Sequence, residues 1–337
     1  MKRRNLGSSS LSITPVTLGA WAIGGWFWGG QDEEQSIRTV HASVDAGVTS
    51  IDTAPVYGFG RSEEVLGRAL KGIRDQVQIL TKVGLRWDLQ EGSHYFDTEE
   101  PDGTPQSIWR NLRPQSIRHE VEQSLRRLQV DHIDLLQCHW PDPSTPIAES
   151  MGELASLVHE GKVGAIGVSN FSIEQMQEAR TALGDVPLAS DQPQYSLLDR
   201  RIEKELLPWC LSEQVGVVAY SPMARGLLTG RITMDRTFSK SDGRASDPRY
   251  HPINRQRILD ALAKVQPIAH AHDVSLANLA VAWVLHQPAI TAALVGARTP
   301  EQAIENARAA DVVLSQDELD QIDAVFGALR LERRPGA

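Results

Sequence analysis

Short apolar runs of four to six residues alternate along this chain with longer stretches in which apolar side chains return every three or four positions. The opening pieces, Leu6, Leu11, Ile13 and Val16 around Gly7-Ser8-Ser9-Ser10, predict a β-hairpin. Thr17 to Ala20 then reads as a first strand, followed by a Gly/Trp-rich loop from Trp21 to Gly30 and a helix opening at Asp32. The unit recurs as strand 50–52 with helix 62–71, strand 77–81 with helix 114–128, and strand 133–138 with helix 146–160. It continues as strand 165–168 with helix 172–183, strand 188–190 with helix 200–214, and strand 215–219 with helices 254–271 and 276–287. Strand 291–295 with helix 300–309 is the last unit, and a further helix is expected near 316–328.

Eight strand–helix units in a row predict a parallel sheet, and at this length a closed (β/α)8 TIM barrel with an N-terminal β-hairpin and a C-terminal extra helix. The expected organisation is a single domain over residues 1–337. A doubly wound open sheet is the alternative, but no Gly-x-Gly-x-x-Gly follows the first strand to open a dinucleotide-binding half.

Composition narrows the partners. A net charge of −9, with acids and bases intermixed, leaves no electrostatic footprint for nucleic acid or an anionic membrane. The two cysteines, Cys138 and Cys210, have neither metal nor disulfide spacing, so no metal is expected and a reducing compartment is. The Met-Lys-Arg-Arg start lacks the apolar run of a signal peptide and no stretch is long and apolar enough to span a bilayer; the expectation is a cytoplasmic protein.

In a barrel of this kind the chemistry stands at the C-terminal strand ends. Ser50-Ile51-Asp52 runs into Thr53-Ala54-Pro55-Val56-Tyr57-Gly58, delivering an acid and a phenol to one mouth. Alone these residues read as a cap and a packed ring. Strand three, however, ends in Thr81-Lys82 and strand four in Gln137-Cys138-His139. Lys82 is either an imine-forming nucleophile or a fixed cation paired with Asp52, and an adjacent carboxylate favours the pair because it keeps the ammonium protonated. A cation about 4 Å from Tyr57 at an effective dielectric near 20 is worth about 4 kcal/mol, so a net lowering of the phenol pKa is expected, reduced by burial. His139 then stands ready to hydrogen-bond a carbonyl oxygen.

Asp52, Tyr57, Lys82 and His139, in this order and setting, resemble the catalytic tetrad of the aldo-keto reductase superfamily. The resemblance runs from the hairpin to the last helices and includes Gly167 to Ser172, Tyr195 to Arg200 and Gly296 to Gln302. The stretches Leu18 to Gly30 and His139 to Asp142 are similar to the bacterial general stress reductases and glycerol or glyceraldehyde reductases. The resemblance implies reversible hydride transfer from NADPH to an aldehyde or ketone, with Tyr57 giving the proton, Lys82 and Asp52 tuning it, and His139 orienting the carbonyl. It implies that Ser169, Asn170 and Gln192 hold the nicotinamide carboxamide and that Tyr220 stacks on the ring. The pyrophosphate is then expected along Ser221, Met223, Arg225, Gly226 and Leu228, and the adenosine end at Gly296, Arg298, Gln302, Glu305 and Asn306. Trp21, Trp26 and Trp140 are expected on the substrate wall.

Two departures stand out. Gly296-Ala297 replaces the Lys-Ser pair often found in NADPH-preferring members, which leaves Arg298 nearly alone to read a 2′-phosphate and leaves NADH use open. Asp191 stands where Asn is more usual in the family. Two other readings remain at this level: a reductase-like nucleotide-binding regulatory subunit with little turnover, and a Schiff-base aldolase acting through Lys82.

Overall fold

The computed structural model describes residues 1–28, 30, 32–100, 102–239 and 242–332. Arg4–Asn5 (β1) and Ser12–Ile13 (β2) pair antiparallel as the expected hairpin. The barrel then begins with Val16–Gly19 (β3) and Glu33–Asp45 (α1), whose N-cap Asp32 accepts from the backbone of Gln35. Ser50–Asp52 (β4) and Arg61–Ala69 (α2) form the next unit, followed by Gln78–Val83 (β5).

Between β5 and its helix the chain inserts Leu85–Arg86 (β6), Ser93–Glu99 (β7) and Pro105–Arg110 (β8), a separate antiparallel sheet in the order β6-β8-β7. The barrel resumes with Pro114–Leu128 (α3), Ile133–Cys138 (β9), Ile147–His159 (α4), Val163–Ser169 (β10) and Ile173–Leu183 (α5). Leu188–Gln192 (β11), Leu206–Ser212 (α6), Gly216–Ala219 (β12), Pro252–Ala271 (α7), Leu276–His286 (α8), Ile290–Gly296 (β13), Pro300–Ala307 (α9) and Gln316–Gly327 (α10) complete it. β3, β4, β5, β9, β10, β11, β12 and β13 close on one another as a parallel barrel. The fold is therefore the expected (β/α)8 barrel, with the hairpin at its start and α10 after the last unit.

One expectation is corrected and one element is added. The helix expected over 200–214 is a short 3-10 turn at Arg201–Glu203 followed by α6. Pro208 explains the break, since its ring lacks an N–H and clashes with the carbonyl four residues back. The antiparallel sheet of β6 to β8 was not expected from the pattern. Its signal is nonetheless present: half-exposed strands flank Asp102-Gly103, a hairpin-type turn pair, and the Glu100 N–H donates the closing backbone bond to the Thr104 carbonyl at 2.8 Å.

Barrel packing positions the site. Leu80, Leu135, Ala165, Ala189, Val218 and Ala292 fill the barrel interior, with Leu6 and Ile13 of the hairpin plugging its lower end. Side chains two residues apart on a strand share a face, so Lys82 stands one layer above Leu80 and Gln137 one layer above Leu135. β5 and β9 pair with Lys82 opposite Gln137. Polar groups thus cap an apolar column at the C-terminal mouth.

Candidate active site

The mouth is organised around a buried ammonium. Lys82 is fully buried, and its Nζ donates to Asp52 Oδ1 at 2.6 Å and to the Thr53 carbonyl at 2.9 Å while approaching the Tyr57 hydroxyl to 3.4 Å. The other Asp52 oxygen accepts from Gln192 Nε2 at 2.9 Å and Gln137 Nε2 at 3.2 Å. Burial works against the Lys82 charge, but Asp52 and Tyr57 outweigh it and raise its pKa above that of a free lysine. A lysine held protonated in this way is no imine-forming nucleophile, which disfavours the aldolase reading.

Tyr57 departs from the expectation in one respect. Its pKa is raised, because burial of the phenol outweighs the lowering by Lys82 and Asp52 adds to the rise. Lys82 moderates the acid without turning it into a phenolate. His139 is pushed well below its ordinary value by burial and by the Lys82 charge, so the ring is neutral. It stands edge-on to Tyr57 with ring centroids 5.7 Å apart, one ring nitrogen available as a donor beside the phenol.

Backbone contact fixes the Tyr57 loop. Gly58 has φ +66°, and a Cβ there would lie 2.2 Å from the Gly24 carbonyl oxygen. The 3-10 turn Ala20–Gly24 therefore rests directly on the residue after Tyr57 and brings Trp21 over the phenol, ring centroids 6.0 Å apart at 29°. Trp140 packs against Tyr95 of β7 at 5.5 Å, on the far side of the mouth. Trp26 is different: it is buried, donates to Thr98 and stacks on Phe96, so it joins the first loop to the antiparallel sheet rather than facing the open mouth.

The residues expected around a nicotinamide form one hydrogen-bonded group. Asn170, in the left-handed region at φ 62°, donates to Ser169 Oγ at 2.9 Å and to the His139 carbonyl at 3.3 Å, and its oxygen accepts from the Tyr220 hydroxyl at 3.1 Å. Ser169 Oγ donates to the Gln192 carbonyl at 2.7 Å. Gln192 itself spends its amide nitrogen on Asp52 and Gln137.

The next loop has four non-helical positions with positive φ: Ser221, Ala224, Arg225 and Gly226. Such turns aim successive N–H groups into a concavity suited to an anion. Met223 is half-buried, Leu228 is buried, and Tyr250, which the sequence did not single out, donates to the Ala224 and Arg225 carbonyls and holds the turn. Arg225 lies 5.4 Å from the Trp21 ring and 5.8 Å from the Trp28 ring. Arg225 Nε, Trp21 Nε1 and Trp28 Nε1 are all buried with no hydrogen-bond partner. Three unused donors beside a turn of this shape fit an anionic ligand such as a pyrophosphate.

At the other end, Thr299 caps α9 through Gln302, and Gln302 Oε1 accepts from the Arg298 backbone at 2.8 Å. Asn306 donates to the Gly296 carbonyl, and Glu305 pairs with Arg231 of the long loop at 2.7 Å. The Arg298 guanidinium donates to the Trp28 and Gly30 carbonyls at 3.3 and 2.8 Å, so it ties α9 to the first loop.

Known proteins resemble this chain in sequence and in fold. The model of the Aldo/keto reductase family matches residues 15–326. The chain is 41% identical over 305 residues to aldo-keto reductase YhdN of Bacillus subtilis, covering 90% of this chain and 86% of that one. It is 38% identical to the NADH-specific methylglyoxal reductase of Escherichia coli, over 94% and 95% of the two chains. The solved glycerol dehydrogenase of Gluconobacter oxydans superposes with a TM-score of 0.87 at 40% identity, covering 99% of this chain and 98% of that one. With a family match over nearly the whole barrel, the chain belongs to the aldo/keto reductase family.

Proposed function

We infer that this chain is an NAD(P)H-dependent oxidoreductase that reduces aldehydes or ketones to alcohols, reversibly, with Tyr57 as the proton donor. The observation that carries the assignment is the buried Asp52–Lys82 pair beside the Tyr57 hydroxyl. When bound, the nicotinamide supplies the hydride. Tyr57 gives its proton to the carbonyl oxygen as negative charge develops there, and Lys82 stabilises the phenolate left behind. Asp52 keeps Lys82 protonated and, by its own charge, adds to the rise of the Tyr57 pKa. Neutral His139 donates one hydrogen bond to the same oxygen and steers it toward the phenol.

Ser169, Asn170 and Tyr220 are assigned to the nicotinamide end, and Gln192 to its floor, where it also holds Asp52. The turn from Ser221 to Leu228, with Met223, Arg225 and Gly226, is assigned to the pyrophosphate, and Arg298, Gln302, Glu305 and Asn306 with Gly296 to the adenosine end. NADPH is the preferred cofactor in this reading and NADH is accepted. Arg298 supports the first, since it is a cation at a helix N-terminus. The Gly296-Ala297 pair and the NADH-specific Escherichia coli relative support the second. To read a 2′-phosphate, Arg298 must exchange the Trp28 and Gly30 carbonyls for phosphate oxygens.

Trp21, Trp140 and Tyr95 line the proposed substrate wall, with Trp26 behind it. Small oxygenated carbonyls suit such a mouth, and methylglyoxal, glyceraldehyde and the glycerol oxidation products are the first to try. A cytoplasmic location belongs to the same reading: Cys138 and Cys210 are free and buried, and among the described residues no single helix is long and apolar enough to cross a membrane. The test is initial rates of carbonyl-dependent NADPH and NADH oxidation over a panel of aldehydes and ketones, and of the reverse reaction with polyols. Nucleotide binding without turnover on any carbonyl overturns the assignment in favour of the regulatory-subunit reading.

A further inference from the structure

The strand that carries Lys82 leaves the barrel two residues later, at Gly84. This residue has φ +98°, so the chain turns here through a left-handed conformation that favours glycine, with the Leu112 side chain packed close against it. From this pivot run β6, β7 and β8. Leu85 of β6 and Ile108 of β8 are buried with Ala54 and Val56 of the Tyr57 loop, and Tyr57, Tyr95 and Trp140 pack on the same cluster. The antiparallel sheet is thus a flap whose attachment sets the distance between the aromatic wall and the proton donor.

One side chain holds the pivot from behind. Glu120, on the inner face of α3 and only 4% exposed, accepts the Gly84 N–H on Oε1 at 3.0 Å, and the Asn111 N–H closes on the Gly84 carbonyl at 3.1 Å. The second Glu120 oxygen, Oε2, is buried and has no partner, as is the hydroxyl of Ser124 one turn along the same helix. A buried carboxyl kept with half its capacity unused is costly and needs a reason.

We propose that Glu120 is the positioning residue of the active site's flap: by holding the Gly84 N–H it fixes the pivot between Lys82 and β6, and with it the aromatic substrate wall relative to Tyr57.

The surroundings say how this grip depends on charge. Burial pushes the Glu120 carboxyl up to about 8, against lowering by Arg86, the Gly84 N–H and Arg127, while Asp88 adds to the rise. Arg86 of β6 faces Glu120 but is committed to Asp88 at 2.8 Å and to Ser116. Arg127, on the same helix, is committed to Glu63 of α2 at 2.7 Å. From β9 the facing group is Cys138, a thiol whose own pKa is raised by burial and by Glu120. With both cations otherwise engaged, ionisation leaves a charged oxygen in a dry seat. Opening of the pivot to water therefore becomes progressively easier as the pH rises from the ordinary carboxyl range to about 8, and levels above it.

Glu120 acts through the flap in a way that rests on the carbonyl-reductase reading for its catalytic consequence, but the flap itself is measurable without turnover. The experiment is amide hydrogen exchange over residues 84–110, read for the wild-type chain, Glu120→Gln and Glu120→Leu, with residues 173–212 as internal reference. Gln keeps the oxygen that accepts from Gly84 and cannot ionise. Its flap should already be more protected than wild type at pH 7, and the margin should widen about tenfold by pH 9. Leu should expose the flap about tenfold at both pH values without moving the reference segment. Flap protection in Glu120→Leu, or in Glu120→Ala where the Leu variant does not fold, that equals wild type at both pH values overturns the proposal. On an aromatic aldehyde, the wild-type KM should rise several-fold from pH 7 to 9 with kcat within twofold, and Glu120→Gln should abolish that rise; absence of all turnover overturns the reductase reading and leaves the exchange result to decide this one.

Discussion

The Lys82 ammonium lies 2.6 Å from Asp52 Oδ1 and 3.4 Å from the Tyr57 hydroxyl, so the acid has first claim on the charge and the phenol the remainder. That unequal division suits a proton donor. A cation closer to the phenol than to the acid favours a phenolate, which has no proton to give. With the present spacing Tyr57 stays protonated and Lys82 acts most strongly when charge appears on the oxygen.

Removing the phenol hydroxyl tests the acid directly. Tyr57→Phe keeps the ring under Trp21 and the packing of its loop, so nicotinamide nucleotides should still bind, seen as a fluorescence change. Carbonyl reduction should fall by about 10²–10⁴-fold, the usual contribution of a positioned acid. Turnover within tenfold of the wild-type rate in this variant rules out Tyr57 as the donor.

The raised pKa of Tyr57 also sets a pH profile. In the proposed reaction the protonated phenol is the active form, and burial raises its pKa above 10, so kcat for reduction should be flat from pH 6 to 9. Any fall should come only at higher pH, as the donor is lost. Replacing Asp52 by Asn removes a carboxylate that raises Tyr57 directly, so with Lys82 still protonated the alkaline limb should move to lower pH. A limb that stays in place under Asp52→Asn shows that Asp52 does not tune the Tyr57 proton.

Much of this was legible in the sequence because each barrel strand announces itself twice, as an apolar run and as the polar group that follows it. Asp52, Lys82 and His139 are such groups, and the barrel count brings them to one mouth. What the pattern did not give depends on contacts between distant segments. The flap of β6 to β8 is half-exposed and lacks the apolar run of a barrel strand, so its pattern is weak. Trp26 looks like a wall residue until the flap covers it. Arg298 looks like a phosphate ligand, and only the approach of the first loop reveals its grip on the Trp28 and Gly30 carbonyls. The sign of the Tyr57 shift turns on how deeply the phenol is buried, which strand periodicity does not report.

Arg298 therefore makes a two-sided prediction. Arg298→Ala should weaken NADPH by about tenfold or more, since a charge-assisted phosphate contact is lost. NADH should weaken by much less, through the loosened tie between α9 and the first loop alone. Equal losses for the two nucleotides, measured by titration of nucleotide fluorescence, show that the arginine serves the loop and does not read the 2′-phosphate.

Asp191 gives a stability prediction that is independent of catalysis. It is fully buried, neither carboxyl oxygen has a partner that meets hydrogen-bond geometry, and burial pushes it up to about 8 despite the nearby backbone N–H groups of Gln192 and Phe171. In the unfolded chain the same group ionises near its ordinary value of 3.8. Between those two pH values the unfolded chain has lost the proton that the folded chain keeps, so this residue's contribution to folding stability declines as pH rises from about 4 to about 8. A shift of this size corresponds to roughly 3–6 kcal/mol across the window, an upper range for one carboxyl. Asp191→Asn is nearly isosteric and stays neutral. Its melting temperature relative to wild type should therefore rise steadily from pH 4.5 to pH 8, by several degrees in all. A difference in melting temperature that is the same at both ends of that range shows that Asp191 is not held protonated in the folded barrel.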